Sequence, residues 1–170
     1  MALSRILVFL FFYLFFINTR ARSIIQRPQP SFSFKINSTS ENYGSCSFTV
    51  MIRTSCYSTS YTRDQISLSF GDAYGNQVYA PRLDDPGSRA FKPCSTDTYT
   101  LYGPCTYQIC YLYLYRSGYD GWMPYDVSVY GPNSSPVSFY FNVFIPSGTW
   151  YGFNYCGRRG NADAASVAAA

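Results

Sequence analysis

Apolar side chains recur at alternate positions through much of the chain between residues 45 and 156. Cys46, Phe48, Val50 and Ile52 share one parity, while Ser45, Ser47, Thr49 and Arg53 hold the other. A period of two puts the first set on one face of a half-buried strand. Ile66, Leu68 and Phe70 alternate with Gln65, Ser67 and Ser69 and predict a second strand. Shorter runs at 78–80 and 98–102 predict a third and a fourth. Residues 109–116, ICYLYLYR, are apolar or aromatic almost without a break and predict a central strand covered on both faces. Runs at 125–130, 138–145 and 150–156 complete the set. Turn signals separate these runs: Asp72 to Asn76, Asp85-Pro86-Gly87, Gly103-Pro104, Ser117-Gly118, Gly131-Pro132 and Pro146-Ser147-Gly148. Short strands at this spacing predict an all-β fold, a two-sheet sandwich or a barrel.

Composition supports that class. Aromatic residues make up 20% of the chain, with 18 tyrosines and 14 phenylalanines, and these residues favour strands. Ahead of the alternating region, Arg5 precedes a short apolar run from Ile6 to Ile17 and a polar exit at Asn18-Thr19-Arg20-Ala21. A spanning helix needs roughly 20 apolar residues, so this pattern reads as a secretory signal peptide over 1–21. Residues 22–44, rich in Pro, Ser, Asn and Gln, read as a flexible arm, 45–156 as the folded domain, and 157–170 as a disordered tail.

Export gives the cysteines their meaning. Cys46, Cys56, Cys94, Cys105, Cys110 and Cys156 are an even set in an oxidising compartment and predict three disulfides, whose pairing the sequence leaves open. Zinc is a poor alternative without histidine or a Cys-x-x-Cys pair. Sequons at Asn37 and Asn133 predict glycosylation on the secretory route.

The net charge of +4 falls to +2 without Arg5 and Arg20, since 13 basic residues become 11 against 9 acidic ones. That balance, with no Lys/Arg cluster, argues against a nucleic-acid partner. The absence of histidine removes Ser-His-Asp, Cys-His and helical zinc-protease chemistry.

The stretch from Tyr61 to Tyr79, YTRDQISLSFGDAYGNQVY, runs on into Ala80-Pro-Arg-Leu-Asp-Asp-Pro86. With Gly103-Pro-Cys, Ile109-Cys-Tyr-Leu-Tyr-Leu, Asp120-Gly-Trp-Met-Pro124 and Trp150-Tyr-Gly-Phe-Asn-Tyr-Cys156, it resembles the plant embryo-specific protein 3 family. That family belongs to the PLAT, or lipoxygenase-homology, superfamily, and the resemblance covers about 45–156. It implies a PLAT-like β-sandwich of two four-stranded antiparallel sheets without a catalytic centre. It also implies a secreted protein of seeds and embryos whose loops dock on a lipid surface or an extracellular protein, in some relatives with calcium.

Three groups of residues are candidates for that docking. Asp72, Asn76, Asp84 and Asp85 would share a calcium ion if the loops at 71–77 and 82–87 converge, whereas turn chemistry explains the same residues without an ion. A glycosidase pair at Asp84-Asp85 is disfavoured, because adjacent carboxylates before a proline point apart. Tyr119, Trp122 and Met123 would form an amphipathic loop tip, or Trp122 would fold over the sandwich end and seal the core, and Trp150 and Tyr151 invite the same choice. Tyr107, Tyr111, Tyr113 and Tyr115 would be a sugar-stacking platform in a carbohydrate-binding module, or aromatic packing between layers. An inhibitor of seed enzymes is a further alternative for a small secreted disulfide protein.

Overall fold

The computed structural model describes residues 26–36, 45–83 and 87–157. The leader, the sequon at Asn37, the Asp84-Asp85 pair and the tail beyond Gly157 lie outside the described residues. Alternation and turn chemistry produce nine strands among those described: β1 (Gln29–Pro30), β2 (Ser45–Thr54), β3 (Gln65–Gly71), β4 (Gln77–Ala80), β5 (Thr96–Pro104), β6 (Tyr111–Ser117), β7 (Pro124–Gly131), β8 (Ser134–Tyr140) and β9 (Trp150–Asn154). They form two antiparallel sheets, ordered β1-β9-β6-β3-β4 and β5-β2-β7-β8. No helix among the described residues is long and apolar enough to cross a membrane.

The inner faces carry the residues that the alternation predicts. Phe48, Val50 and Ile52 from β2 meet Ile66, Leu68 and Phe70 from β3, all fully buried, and Phe48 and Phe70 touch edge to face at 5.3 Å. Leu112 and Leu114 of β6 and Val127 and Val129 of β7 fill the centre. At about 25 cal/mol per Å² of apolar surface removed from water, this shared layer is the main force holding the sheets together.

Two details depart from expectation. The first sheet has five strands, because Gln29–Pro30, within the segment read as an arm, pairs with Gly152 and Tyr151 of β9. The strand expected over 138–145 ends instead at Tyr140. Asn142 adopts a positive φ of 45°, and its amide donates to the Pro124 carbonyl at 3.0 Å, so the chain turns out of the ladder. Phe144 is thereby left at the surface.

The three disulfides are Cys46–Cys105, Cys56–Cys94 and Cys110–Cys156, with sequence separations of 59, 38 and 46 residues. Loops of that size correspond to roughly 4 kcal/mol of stabilisation each in the chain-entropy description.

Antiparallel order sorts the connections into two ends. Segments 55–64, 81–95, 118–123 and 141–149 gather at one end, called here the loop end, with 84–86 undescribed. Segments 72–76, 105–110, 132–133 and 155–157 gather at the other, the turn end.

Candidate functional site

The loop end is built on one buried ion pair. Arg116 follows Leu112 and Leu114 on the inward parity of β6, so its guanidinium enters the sandwich where a charge needs a partner. Asp64, just before β3, supplies it, and the two side chains are only 11% and 3% exposed. Arg116 Nε also donates to the Ile145 carbonyl at 2.8 Å, and Nη1 to the Gly118 carbonyl at 3.2 Å. The Asp64 carboxylate accepts the backbone amides of Asp120 at 3.0 Å and Gly121 at 3.1 Å. One carboxylate and one guanidinium thus fasten three loops to each other. Gly118 lies directly against the pair: its φ is +150°, and a Cβ there would sit 1.9 Å from Asp64 Oδ1.

What these loops hold outward is aromatic. Tyr119 is fully exposed, Tyr57 is 85% exposed, and Tyr61 and Phe144 present about half of their surface. Further bonds fix the loops beneath them: Thr59 Oγ1 to the Gly121 carbonyl at 3.0 Å, Ser55 N to the Met123 carbonyl at 2.9 Å, and Met123 N to Ser58 Oγ at 3.0 Å. The Arg63 guanidinium lies 5.5 Å from the centre of the Tyr61 ring. Asp120 accepts the Arg63 backbone amide at 2.9 Å and its Nε at 3.3 Å, and these bonds hold its carboxyl below the usual carboxylate range. The exposed charged residues of the loop-end segments are Arg63, Arg82, Arg89 and Lys92, all basic among the described residues.

The predicted tip of Tyr119, Trp122 and Met123 is therefore corrected. Tyr119 projects as expected, but Trp122 is fully buried and Met123 is half-buried. The Trp122 indole packs on Phe91 at 4.8 Å and donates from Nε1 to Thr54 Oγ1 at 3.1 Å, sealing the core. Tyr57, Tyr61 and Phe144 take its place at the surface. Their signal in the sequence is weak, since Tyr57 and Tyr61 are single rings in a polar run, and Phe144 falls within an apparent strand.

Of the four calcium candidates only Asp72 and Asn76 lie among the described residues, and they gather no ion site there. Asp72 and Asn76 lie at the turn end, whereas Leu83, adjoining the undescribed Asp84, donates its amide to the Ile66 carbonyl near the opposite end of β3. The four residues of β4 separate the two loops by about 13 Å. The donor set at Asp72 is also spent. Its Oδ1 accepts the amides of Tyr74 at 2.8 Å and Asn76 at 3.1 Å, and its Oδ2 accepts Asn76 Nδ2 at 2.7 Å and the Tyr107 amide at 2.8 Å. An ion there would have to break these bonds, and among the described residues no group of three or more Asp, Glu, Cys or His side chains could hold a metal. The melting temperature is accordingly expected to be the same in millimolar calcium and in chelator, because a ligand of the folded state must raise it. A calcium-dependent rise would restore the ion.

The tyrosine ladder divides. Tyr111, Tyr113 and Tyr115 face outward from β6, but Tyr111 and Tyr113 are buried beneath Phe34 of the 26–36 segment. Phe34 stands 4.5 Å from Tyr113 and 5.1 Å from Trp150. Gln77 Nε2 donates to the Lys35 carbonyl at 3.4 Å and to the Tyr111 hydroxyl at 3.2 Å, and burial pushes that phenol's pKa up. Tyr107 alone of the four predicted platform residues is freely exposed. Trp150 and Tyr151 are half-buried, and Asn133 is exposed in the turn between β7 and β8.

The two-sheet sandwich fold is shared with domains of solved lipoxygenases and clostridial alpha toxins. Alpha toxin from Clostridium absonum superposes with a TM-score of 0.53 at 24% identity, over 69% of this chain and 33% of the toxin. Coral 8R-lipoxygenase gives 0.54 at 20% identity, over 64% of this chain and 17% of the enzyme. The chain thus matches about a third or less of those proteins. The sequence pattern of the family described as Embryo-specific protein 3 (ATS3) matches residues 33–156. Embryo-specific protein ATS3B of Arabidopsis thaliana is 47% identical over 169 residues, 98% of this chain and 89% of that protein. Embryo-specific protein ATS3A of the same plant is 56% identical over 142 residues, 83% and 79% of the two chains. The chain belongs to the embryo-specific protein 3 family.

Proposed function

We propose that the protein is a secreted, non-catalytic PLAT-type module of seeds and embryos that docks its loop end on an anionic lipid surface. The observation that carries this reading is the group of outward rings, Tyr57, Tyr61, Tyr119 and Phe144, on loops fixed by the Asp64–Arg116 pair and bordered by exposed basic residues. Aromatic rings suit the headgroup boundary, where one part of the side chain is apolar and the other wet. Each cation near an anionic surface adds about 1 kcal/mol. Rings held by a rigid scaffold lose little entropy on docking. Three disulfides and an apolar leader support secretion. The described structure of coral 8R-lipoxygenase ties calcium activation to its C2-like domain. Here, with Asp72 committed to amides, docking is expected to be independent of calcium.

Co-sedimentation of the mature chain with phosphatidylcholine vesicles, with and without phosphatidylserine, tests the reading. Binding is expected only with phosphatidylserine, weakening as salt rises. Tyr119→Ala with Phe144→Ala is expected to weaken it about tenfold or more, since about 1.4 kcal/mol corresponds to a factor of ten, with no change in melting temperature. Equal sedimentation of the double variant, or no binding to either vesicle, would sink the reading.

A further inference from the structure

The turn end carries a second surface of different chemistry. Asp72 is 3% exposed, and its two carboxylate oxygens take the backbone amides of Tyr74 and Tyr107, from separate loops, at 2.8 Å each. The consequence lies outside the turn. Tyr74 and Tyr107 remain 78% and 63% exposed, yet they stand edge to face with centroids 5.0 Å apart. A buried carboxylate that fixes both backbones holds this exposed aromatic pair in position before any ligand arrives.

The connections at the two ends differ in charge. The segments 72–76, 105–110, 132–133 and 155–157 contain no charged residue except the buried Asp72. Around the pair they carry amides and hydroxyls: Gln108 bonds Ser135 through its Oε1 at 3.1 Å, and Ser134 Oγ accepts the Ile109 amide at 3.1 Å. Apart from the exposed Lys35, whose carbonyl accepts Gln77 Nε2 beside Tyr111, the described residues give the preset rings a hydroxyl and amide border that offers little to a charged lipid or an acidic peptide. Such a surface suits a flat ligand that presents C–H groups on one face and hydroxyls at its rim.

We infer that the Tyr74–Tyr107 pair is a binding site for a neutral polysaccharide, with pyranose faces stacking on the rings. The site is distinct from the lipid-facing loop end and uses, of the predicted tyrosine platform, only Tyr107.

Affinity electrophoresis of the mature chain through gels containing xyloglucan, arabinoxylan, mixed-linkage glucan or polygalacturonate tests it. Retardation is expected in at least one neutral gel and not in polygalacturonate. Tyr74→Ala with Tyr107→Ala is expected to weaken it at least about tenfold, while Tyr119→Ala with Phe144→Ala leaves it unchanged. Both ring pairs are exposed, so matching melting temperatures certify the variants. The series is repeated on Asn133→Gln, so that a glycan on the neighbouring turn neither blocks the site nor substitutes for a ligand. Free migration in every neutral gel, retardation only by polygalacturonate, or equal retardation of the Tyr74 and Tyr107 variant would overturn the inference. So would capture of a protein partner, lost in that variant, by a chain that no neutral polysaccharide retards. Vesicle binding that survives in the Tyr74 and Tyr107 variant keeps the two surfaces experimentally separate.

Discussion

Asp64→Ala is expected to destabilise the protein by about 3–5 kcal/mol, the range for leaving one member of a buried ion pair without its partner. The loss is of this size because Arg116 has little access to water: its side chain is 11% exposed, so its charge would be left buried without a partner. The amides of Asp120 and Gly121 lose their acceptor in the same step. Each unsatisfied buried amide costs about 1–3 kcal/mol unless water reaches it. Segment 118–121 should therefore loosen before the sheets do, and limited proteolysis should cut there first. Urea unfolding measures the global effect. The double variant Asp64→Ala with Arg116→Met separates the two causes: it removes the stranded charge but not the unpaired amides, so it should recover part of the loss. An Asp64→Ala midpoint within about 1 kcal/mol of the parent, as expected for a solvated surface pair, would show that the pair does not organise the loop end.

This pair also marks the limit of what alternation reveals. Leu112, Leu114 and the strand pattern of β2 and β3 were legible because a period of two states which face is dry, whatever lies opposite. The same rule places Arg116 on the dry face, and that conflict was a visible sign of a buried partner. Its identity was not visible, because Asp64 lies 52 residues away and meets Arg116 only through the pairing of β3 with β6. Antiparallel order likewise separates the turn of Asp72 from the segment that follows β4. Asp72 and Leu83 look close in sequence, but β4 between them carries the chain from one end of the sandwich to the other. Tyr74 and Tyr107 show the converse case, two residues from different turns brought together at one carboxylate. The five-strand sheet was hidden because β1 is only two residues long and holds no alternation to detect. Asn142 hid the end of β8 because a positive φ at a non-glycine residue leaves little trace in the hydrophobic pattern. Disulfide pairing was hidden for the same reason as the ion pair: it follows from topology, with Cys46 opposite Gly103 beside Cys105, and Cys110 accepting the Tyr155 amide beside Cys156.

Trp122→Ala is expected to cost about 3–5 kcal/mol, as removal of a large aromatic from a core does. The ring is fully buried against Phe91, and Phe91 in turn faces Tyr99 of β5 at 6.1 Å. The indole thus joins the 118–123 loop to the 87–95 loop and both to the second sheet. Its Nε1 bond to Thr54 Oγ1 adds a smaller share, which Trp122→Phe isolates. That variant keeps most of the apolar contact and should lose only about 1–2 kcal/mol, of which an ordinary hydrogen bond accounts for about 1. The comparison with Tyr119→Ala is what decides the role of the loop. If Trp122 is a core residue, its variants lower the denaturation midpoint, and the fraction that remains folded sediments with anionic vesicles as the parent does. Tyr119→Ala should do the reverse, with an unchanged midpoint and weakened sedimentation. A Trp122→Phe chain of full stability that no longer sediments would place the indole at the lipid surface after all, and would require the loop to open and turn its most apolar ring outward on docking.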